Sequence, residues 1–577
     1  MVPSTRARLP APARGERRAL IGAPDPRGAG TMETRPRPLV LIRGFGGLDI
    51  EDDRRNAYQG FNDGTVYPGK RGQNYIYEGF VIKALKSSEH RYNDATDVIG
   101  YYPSAVEGPT EIAGWNPEFV KGSIVIDPRM VDDHEGWNTR GTIWVFRYYD
   151  LNPRNIDTFA EGLVQLIERI RYLAERNGEE EFDGVDVIAH SMGGLVMVQA
   201  MRLLHEAAVK KDPSVTQGAA ESIHRAITLG TPHRGIAFQR MPEAFLSFVH
   251  VKAASELGAF DPTSTEFLGV PTWFPLSRLL TVVGTNYRDY NIKISSAGNR
   301  LASLLAGDGM TYNRSDGLVK QAAAQLPGAP RTFVHKCHGG TDSLVTSREA
   351  YEIAMRFFHG THSIRLSLDA ARINGDEKDF FGRSEFFFGV TVKPRFVDFS
   401  LFEQSAAAEN CYGPFRTVDL SDDGPGALPT ALSQPLAASD RAMGWAGDGR
   451  LIWEGWIDAN ANPKAPDMVF RLDVYVAERD TLGIGFSDNV IFAGQYWLQV
   501  IKGAHPVIFI HTTEQTLKLT SGLTDADAET VIDPRISRAT EDATPENAAA
   551  AGWTFPVGGP NFAATLRLEV AASDQAA

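Results

Sequence analysis

Across residues 37–360 of this 577-residue chain, short unbroken apolar runs alternate with longer segments whose apolar positions recur every three or four residues. Pro38-Leu-Val-Leu-Ile-Arg43, Thr142–Tyr148, Val185–Ala189, Arg225–Leu229 and Leu279–Gly284 are continuous enough for strands buried on both faces. The first ends in a glycine-rich loop, Gly44-Phe-Gly-Gly47. Phe159, Leu163, Leu166, Ile167, Ile170 and Leu173 form one helical stripe, with Thr158 and Glu161 at capping-box spacing and Gly178 as the stop. An almost wholly apolar helix is expected from Gly193 to about Leu204, and an amphipathic one from Arg348 to Phe358. Strands alternating with helices predict a mainly parallel sheet covered on both faces, with reactive groups at the carboxyl ends of its strands.

Beyond Gly360 the pattern changes to period two. Ser363–Leu368, Glu385–Val392, Met468–Val476 and His505–His511 read as strands separated by turn residues, so residues 361–577 are expected to form an all-β sandwich. Residues 421–440, rich in Asp, Gly, Pro, Ala and Ser, read as a loop. Two stretches interrupt the α/β region. Residues 48–140 are polar and aromatic with weak periodicity, and a loop of that length is functional or holds small elements of its own. Residues 236–278 hold an apolar helix-like stretch and then Pro- and aromatic-rich turns. Residues 1–36 are rich in Arg, Pro, Ala and Gly and read as disordered, with Met32 an equally good start.

Charge and cysteine content narrow the function. The net charge is −14, yet the first 37 residues carry +5, which leaves the remainder near −19. That surface suits neither nucleic acid nor a strongly anionic membrane, although transient contact with a membrane surface stays open. The two cysteines, Cys337 and Cys411, offer neither a disulfide framework nor a metal-type spacing. No apolar run reaches about 18 residues, and the N-terminus lacks the apolar core of a secretory signal, so a cytoplasmic location is expected, with non-classical export left open. Glu478-Arg-Asp480 and Ser487-Asp-Asn489 are either Ca²⁺ ligands or solvated acidic loops; no other cofactor or metal is expected.

The chemistry centres on Val185-Asp-Val-Ile-Ala-His-Ser-Met-Gly-Gly-Leu-Val-Met-Val198. A strand, a serine at a turn, then small residues opening a helix is the setting of a nucleophile elbow, in which strain pushes the Ser191 hydroxyl out above the sheet. Gly193 and Gly194 let the helix pack back closely. The alternative is an ordinary βα turn. Serine needs a base to take its proton and a third group to orient that base. Asp316, in Ser315-Asp-Gly-Leu-Val319, and His338, in Phe333-Val-His-Lys-Cys-His-Gly-Gly340, follow in that order, with Asp289, His335 and His190 as rivals.

These segments, together with Arg43-Gly-Phe-Gly-Gly47 and Leu229-Gly-Thr-Pro-His233, resemble the α/β-hydrolase superfamily, specifically its lipase-like branch of triacylglycerol lipases and PGAP1-like esterases, over about residues 37–360. The resemblance implies a Ser191–His338–Asp316 triad and an oxyanion hole made by the amides of Phe45 and Met192. It places Gly44, Thr231, Pro232 and His233 at the substrate wall, with a plain turn cap as the alternative for His233. Arg43 stands where such lipases often carry histidine. The insertion at 236–278 is then either a lid over an acyl pocket or a plain surface helix. The β region resembles C2- or PLAT-like sandwiches in architecture alone. The implied function is hydrolysis of acyl esters, with lipids or phospholipids in range. An acyltransferase using the same triad and a non-catalytic binding protein on the same scaffold are the alternatives. Oligomeric state stays open.

Overall fold

A computed structural model describes residues 35–44, 61, 79–87, 92–99, 139–148, 155–176, 182–211, 217–234, 269–287, 315–326, 328–340, 342–373, 384–395, 397, 399–405, 408, 410–416, 451–458, 467–480, 489–501, 507–523, 530–541 and 551–573. The chain divides into two units, residues 1–35 and 36–577. Residues 1–34, expected to be disordered, lie outside the described residues, and every described helix and strand belongs to the second unit.

Among the described residues, seven parallel strands form its central sheet: β1 (Leu39–Ile42), β2 (Asp94–Ile99), β3 (Thr142–Arg147), β4 (Val185–His190), β5 (Ile223–Leu229), β6 (Leu279–Gly284) and β7 (Arg331–Val334). Their order across the sheet is β2-β3-β1-β4-β5-β6-β7. β1, β3, β4, β6 and β7 are buried at every position, which is why their sequences run apolar without alternation. Successive residues still serve opposite faces. Val40, Ile42, Trp144, Phe146, Val185 and Val187 pack beneath α2 (Ile156–Arg176) and α3 (Met192–Lys210). Leu39, Leu41, Ile143, Val145, Ile188 and Ile227 pack on the other side against α1 (Phe80–Lys86) and α4 (Arg348–His359).

α1 and β2 are the small elements held by the 48–140 insertion, and β2 extends the sheet by pairing with β3 from Asp94↔Thr142 to Ile99↔Arg147. In α2 the expected stripe is buried, but the helix starts earlier than the capping-box spacing predicts. Asn155 Oδ1 accepts the Thr158 N–H at 2.8 Å, and asparagine is at least as good an N-cap as threonine. Gly178 lies outside the described residues.

The remaining strands are antiparallel: β8 (His362–Ile373), β9 (Ser384–Pro394), β10 (Phe402–Glu403), β11 (Tyr412–Arg416), β12 (Leu451–Ile457), β13 (Asp467–Asp480), β14 (Asn489–Ile501), β15 (Val507–His511), β16 (Ile536–Arg538), β17 (Thr540–Glu541), β18 (Ala551–Gly559) and β19 (Phe562–Ala572). They make two sheets. One runs β10-β9-β13-β14-β15-β16, with β11 also on β9; the other runs β12-β8-β19-β18-β17. Alternate residues of both, such as Phe388, Val390 and Val392 of β9 and Leu566 and Leu568 of β19, enter a shared core. The fold is an α/β-hydrolase domain with a C-terminal β domain. Of the Ca²⁺ candidates, Glu478 and Asn489 are register partners on β13 and β14. The side chain of Asp480, with Ser487 and Asp488, lies outside the described residues, as does the loop expected at 421–440. Among the described residues no helix is long and apolar enough to cross a membrane.

One apolar cluster runs from the α1/α4 face of the parallel sheet into both antiparallel sheets. Phe333 of β7 meets Phe402 of β10 with ring centroids 5.6 Å apart, and Phe357 of α4 meets Trp456 of β12 edge-on at 4.6 Å. Arg331, buried at the start of β7, sits at this junction. Its guanidinium donates to Gln325 Oε1 (3.0 Å) and to the Tyr412 hydroxyl (2.9 Å), and it lies 5.0 Å from the Phe333 ring centroid. The Tyr412 hydroxyl in turn donates to the Ile452 carbonyl at 2.9 Å, tying β7, β11 and β12 through one oxygen. Tyr412→Phe is expected to lower stability by about 1–3 kcal/mol, because buried partners lose their hydrogen bonds while the apolar contacts persist. A urea midpoint equal to wild type would contradict this.

Candidate active site

β4 delivers Ser191 into a turn with φ 54° and ψ −129°, a backbone conformation that L-residues rarely adopt. Two hydrogen bonds hold it there. The Ser191 N–H donates to the Leu229 carbonyl (2.9 Å), and the Gly194 N–H donates to the Ser191 carbonyl (3.0 Å) as α3 begins. The glycines around the turn have distinct reasons. A methyl at 193 would lie 2.7 Å from the Ile42 carbonyl oxygen, and one at 194 would run into the Thr231 side chain. At Gly44 it would come within 2.9 Å of Ser191 Oγ, so the chain leaving β1 crosses directly over the hydroxyl.

Asp316 sits in a tight turn closed by the bridge between Ser315 and Lys320. Its Oδ1 accepts the amides of Leu318 (3.0 Å) and Val319 (2.8 Å), which fixes the carboxylate plane and leaves Oδ2 for another donor. That donor is His338, on the turn after β7, whose Nδ1 lies 2.8 Å from Asp316 Oδ2. A carboxylate only accepts, so Nδ1 carries the proton and Nε2 is the acceptor. Nε2 lies 2.8 Å from Ser191 Oγ. The His338 amide also donates to the Asp316 carbonyl, at 2.9 Å. Three residues separated by up to 147 positions thus form one hydrogen-bonded chain, with Ser191 7 %, His338 4 % and Asp316 1 % exposed.

Two glycines that the sequence pattern does not single out make this meeting possible. Gly230 (φ +56°) passes beneath the Asp316–His338 pair, where a methyl would lie 2.8 Å from Asp316 Oδ2 and 3.2 Å from His338 Nδ1. At Gly284, the end of β6, it would lie 2.7 Å from the Asp316 Cβ. A signal exists in the sequence, since each glycine ends a strand run. Their partners, lying far along the chain, are not readable from it. Lys336 is a further residue that the pattern does not flag. Its Nζ pairs with Asp342 (2.8 Å) and Glu349 (3.6 Å), bracing the turn that carries His338.

The other expected residues fall as follows. Met192 is the first residue of α3, buried, its amide at the helix N-terminus beside Ser191. Gly44 lies against Ser191, and Thr231 is buried against Gly194 with no hydrogen-bond partner for its hydroxyl among the described residues. Pro232 follows in the same buried turn, and His233 Nε2 lies 3.0 Å from Thr228 Oγ1. Phe45 and Asp289 lie outside the described residues. His335 turns to Thr285, with Nδ1 3.0 Å from Oγ1, and His190 Nε2 lies 2.8 Å from the His338 carbonyl oxygen. Of the 236–278 insertion, residues 236–268 are outside the described residues; Val270 and Phe274 at its end join the core beneath α2 and α3. Among the described residues no group of three or more His, Cys, Asp or Glu is placed to hold a metal ion.

Parallel strands ordered in this way, a serine elbow after a central strand, and an acid and histidine arriving from later strand ends decide the fold. Residues 152–263, which contain the elbow, match the family described as "Putative serine esterase (DUF676)". The described architecture is that of the α/β-hydrolase fold, and the family match is confined to this part of the chain. No curated protein matches it at a significant level. Among solved structures it is similar to a Legionella pneumophila phospholipase, PlaB, in complex with thio-NAD, at 12 % identity, with 68 % of this chain and 90 % of that one covered and a TM-score of 0.26. A second PlaB structure gives 14 % identity, 58 % and 78 % coverage and a TM-score of 0.25. Aspergillus fumigatus lipase B gives 11 %, 57 % and 54 %, and 0.24. Likenesses this distant carry nothing about what this chain acts on.

Burial sets the charge state of the second histidine of this region. It takes the His233 imidazole from its usual value near 6.5 down to about 3. The unfolded chain binds that proton with ordinary affinity, so its stabilising contribution is complete above pH 6.5 and is lost as pH falls from there toward 3. At pH 5 the deficit from this group is about 2 kcal/mol. His233→Gln is therefore expected to flatten the loss of stability between pH 7 and 4, followed as the urea midpoint; an unchanged slope would show that His233 is free to protonate in the folded protein.

Proposed function

We propose that the protein hydrolyses carboxylic esters of acyl chains through an acyl-enzyme on Ser191. The reading rests above all on the unbroken 2.8 Å links from Ser191 Oγ to His338 and from His338 to Asp316. Ser191 attacks the ester carbonyl while His338 Nε2 takes its proton. Asp316 holds the ring in the required tautomer and stabilises the imidazolium. His338 then returns the proton to the leaving alcohol, and water repeats the sequence in reverse to free the acid.

The tetrahedral oxyanion is assigned to the Met192 amide at the start of α3 and to the Phe45 amide after Gly44. The close pass of Gly44 over Ser191 supports this assignment. Each such donor is worth about 10²–10³ in rate. Gly44, Thr231, Pro232 and His233 form the adjoining wall. We assign the apolar residues of Ala237–Val249 to acyl binding, which favours lipid-like esters by about 0.8 kcal/mol for each buried CH₂.

Hydrolysis of p-nitrophenyl esters from acetyl to dodecanoyl tests both parts. Wild type is expected to cleave them with kcat/KM rising with chain length, and Ser191→Ala is expected to lose at least about 10³-fold. Turnover that survives the substitution would reject Ser191 as the nucleophile. A flat or falling chain-length profile would reject lipid-like substrates.

A further inference from the structure

The residue before the nucleophile has a use that the proton relay itself leaves open. His190, the last residue of β4, is buried, and its Nε2 lies 2.8 Å from the backbone carbonyl oxygen of His338. A carbonyl only accepts, so Nε2 carries the hydrogen and donates it. Nδ1 is then unprotonated, in keeping with its lack of a hydrogen-bond partner among the described residues. The two rings lie side by side with centroids 4.8 Å apart.

This contact completes the restraint of His338. Its N–H is held by the Asp316 carbonyl, its ring by Asp316 and Ser191, and its C=O by His190. The C-terminal side needs an external hold because Gly339 and Gly340 follow at once, with Gly340 at φ +96°. A glycine pair offers little stiffness of its own. Besides His190, the weak Cys337 thiol donor, 2.9 Å from the Asp342 carbonyl oxygen and 3.2 Å from that of Gly339, also restrains this turn. The strand that delivers the nucleophile therefore also grips the backbone of its base, so the two move as one body.

We propose that His190 is a positioning residue: its Nε2–H holds the His338 carbonyl and keeps the imidazole aimed at Ser191 through both acyl-transfer steps. The proposal rests on the relay assigned above. Neutrality of His190 fits the role. Burial, the facing His338 and Arg43 all push its pKa well below the usual histidine value, outweighing the opposing bond to the His338 carbonyl. It thus adds no charge beside the imidazolium that forms on His338.

The test compares His190→Phe, which keeps a flat ring but removes the donor, with His190→Gln, whose amide reaches about as far as Nε2. Rates on p-nitrophenyl butyrate are normalised to active serines titrated with a fluorophosphonate. His190→Phe is expected to lower kcat about 10–100-fold with KM within about 2-fold, the scale of an ångström of misplacement. His190→Gln is expected to recover to within about 5-fold of wild type. A merely structural role would lower the titrated fraction and leave kcat per site unchanged, which would overturn the proposal. So would a glutamine variant no better than phenylalanine. If His190→Phe does not fold, His190→Asn, too short to reach His338, takes its place. Ser191→Ala is run alongside: activity surviving there rejects the relay itself, whereas its loss with a normal His190→Phe rejects only the role of His190.

Discussion

Close approach of bare backbone is the constraint on which the site depends. A serine, a histidine and an aspartate can share two short hydrogen bonds only if the strand ends that carry them come nearer than side chains normally permit. Gly44 lets the end of β1 lie against the serine, Gly230 lets the end of β5 pass under the histidine–carboxylate pair, and Gly284 lets the end of β6 abut the aspartate. Gly193 and Gly194 do the same for the helix that follows Ser191. The strained φ of Ser191 is tolerable because β5 and the first turn of α3 hold its backbone from both sides.

That arrangement needs a rigid support, and the parallel sheet provides one. Its strands are packed on both faces, by α2 and α3 on one side and by a core shared with the β domain on the other. Thr332 of β7 donates to the Leu401 carbonyl at 2.6 Å and Gln321 donates to the Ala408 carbonyl at 3.0 Å, so the segments bearing Asp316 and His338 lean directly on the β domain. Arg331 and Tyr412 add a buried polar link at the same place. The β domain thus braces the half of the site that carries Asp316 and His338.

How much of this is legible in the sequence depends on the range of each signal. Continuous apolar runs expose five of the seven parallel strands, and the small residues after Ser191 expose the elbow, because those cues are local. β2 escapes notice because Asp94-Ala-Thr-Asp-Val-Ile99 is an edge strand with little apolar continuity. The pattern misplaces the start of α2 because Asn155 competes with Thr158 for the cap. Asp316 and His338 can be ordered along the chain but not chosen by geometry, and the fold brings both to Ser191 while turning His335 to Thr285. The work of Gly230, Gly284 and His190 is unreadable, since each depends on a contact across a long stretch of sequence. The same holds for the C-terminal strands, whose alternation predicts a buried side without naming what buries it.

The most direct test is the second-order rate at which a fluorophosphonate labels Ser191 in wild type and in Gly230→Ala, with the label located by peptide mass spectrometry. The account predicts rapid labelling at Ser191 alone in wild type and a roughly 100-fold slower reaction in a folded Gly230→Ala variant, whose methyl would press on both Asp316 and His338. Equal rates in the two proteins, or a label on another residue, would contradict it.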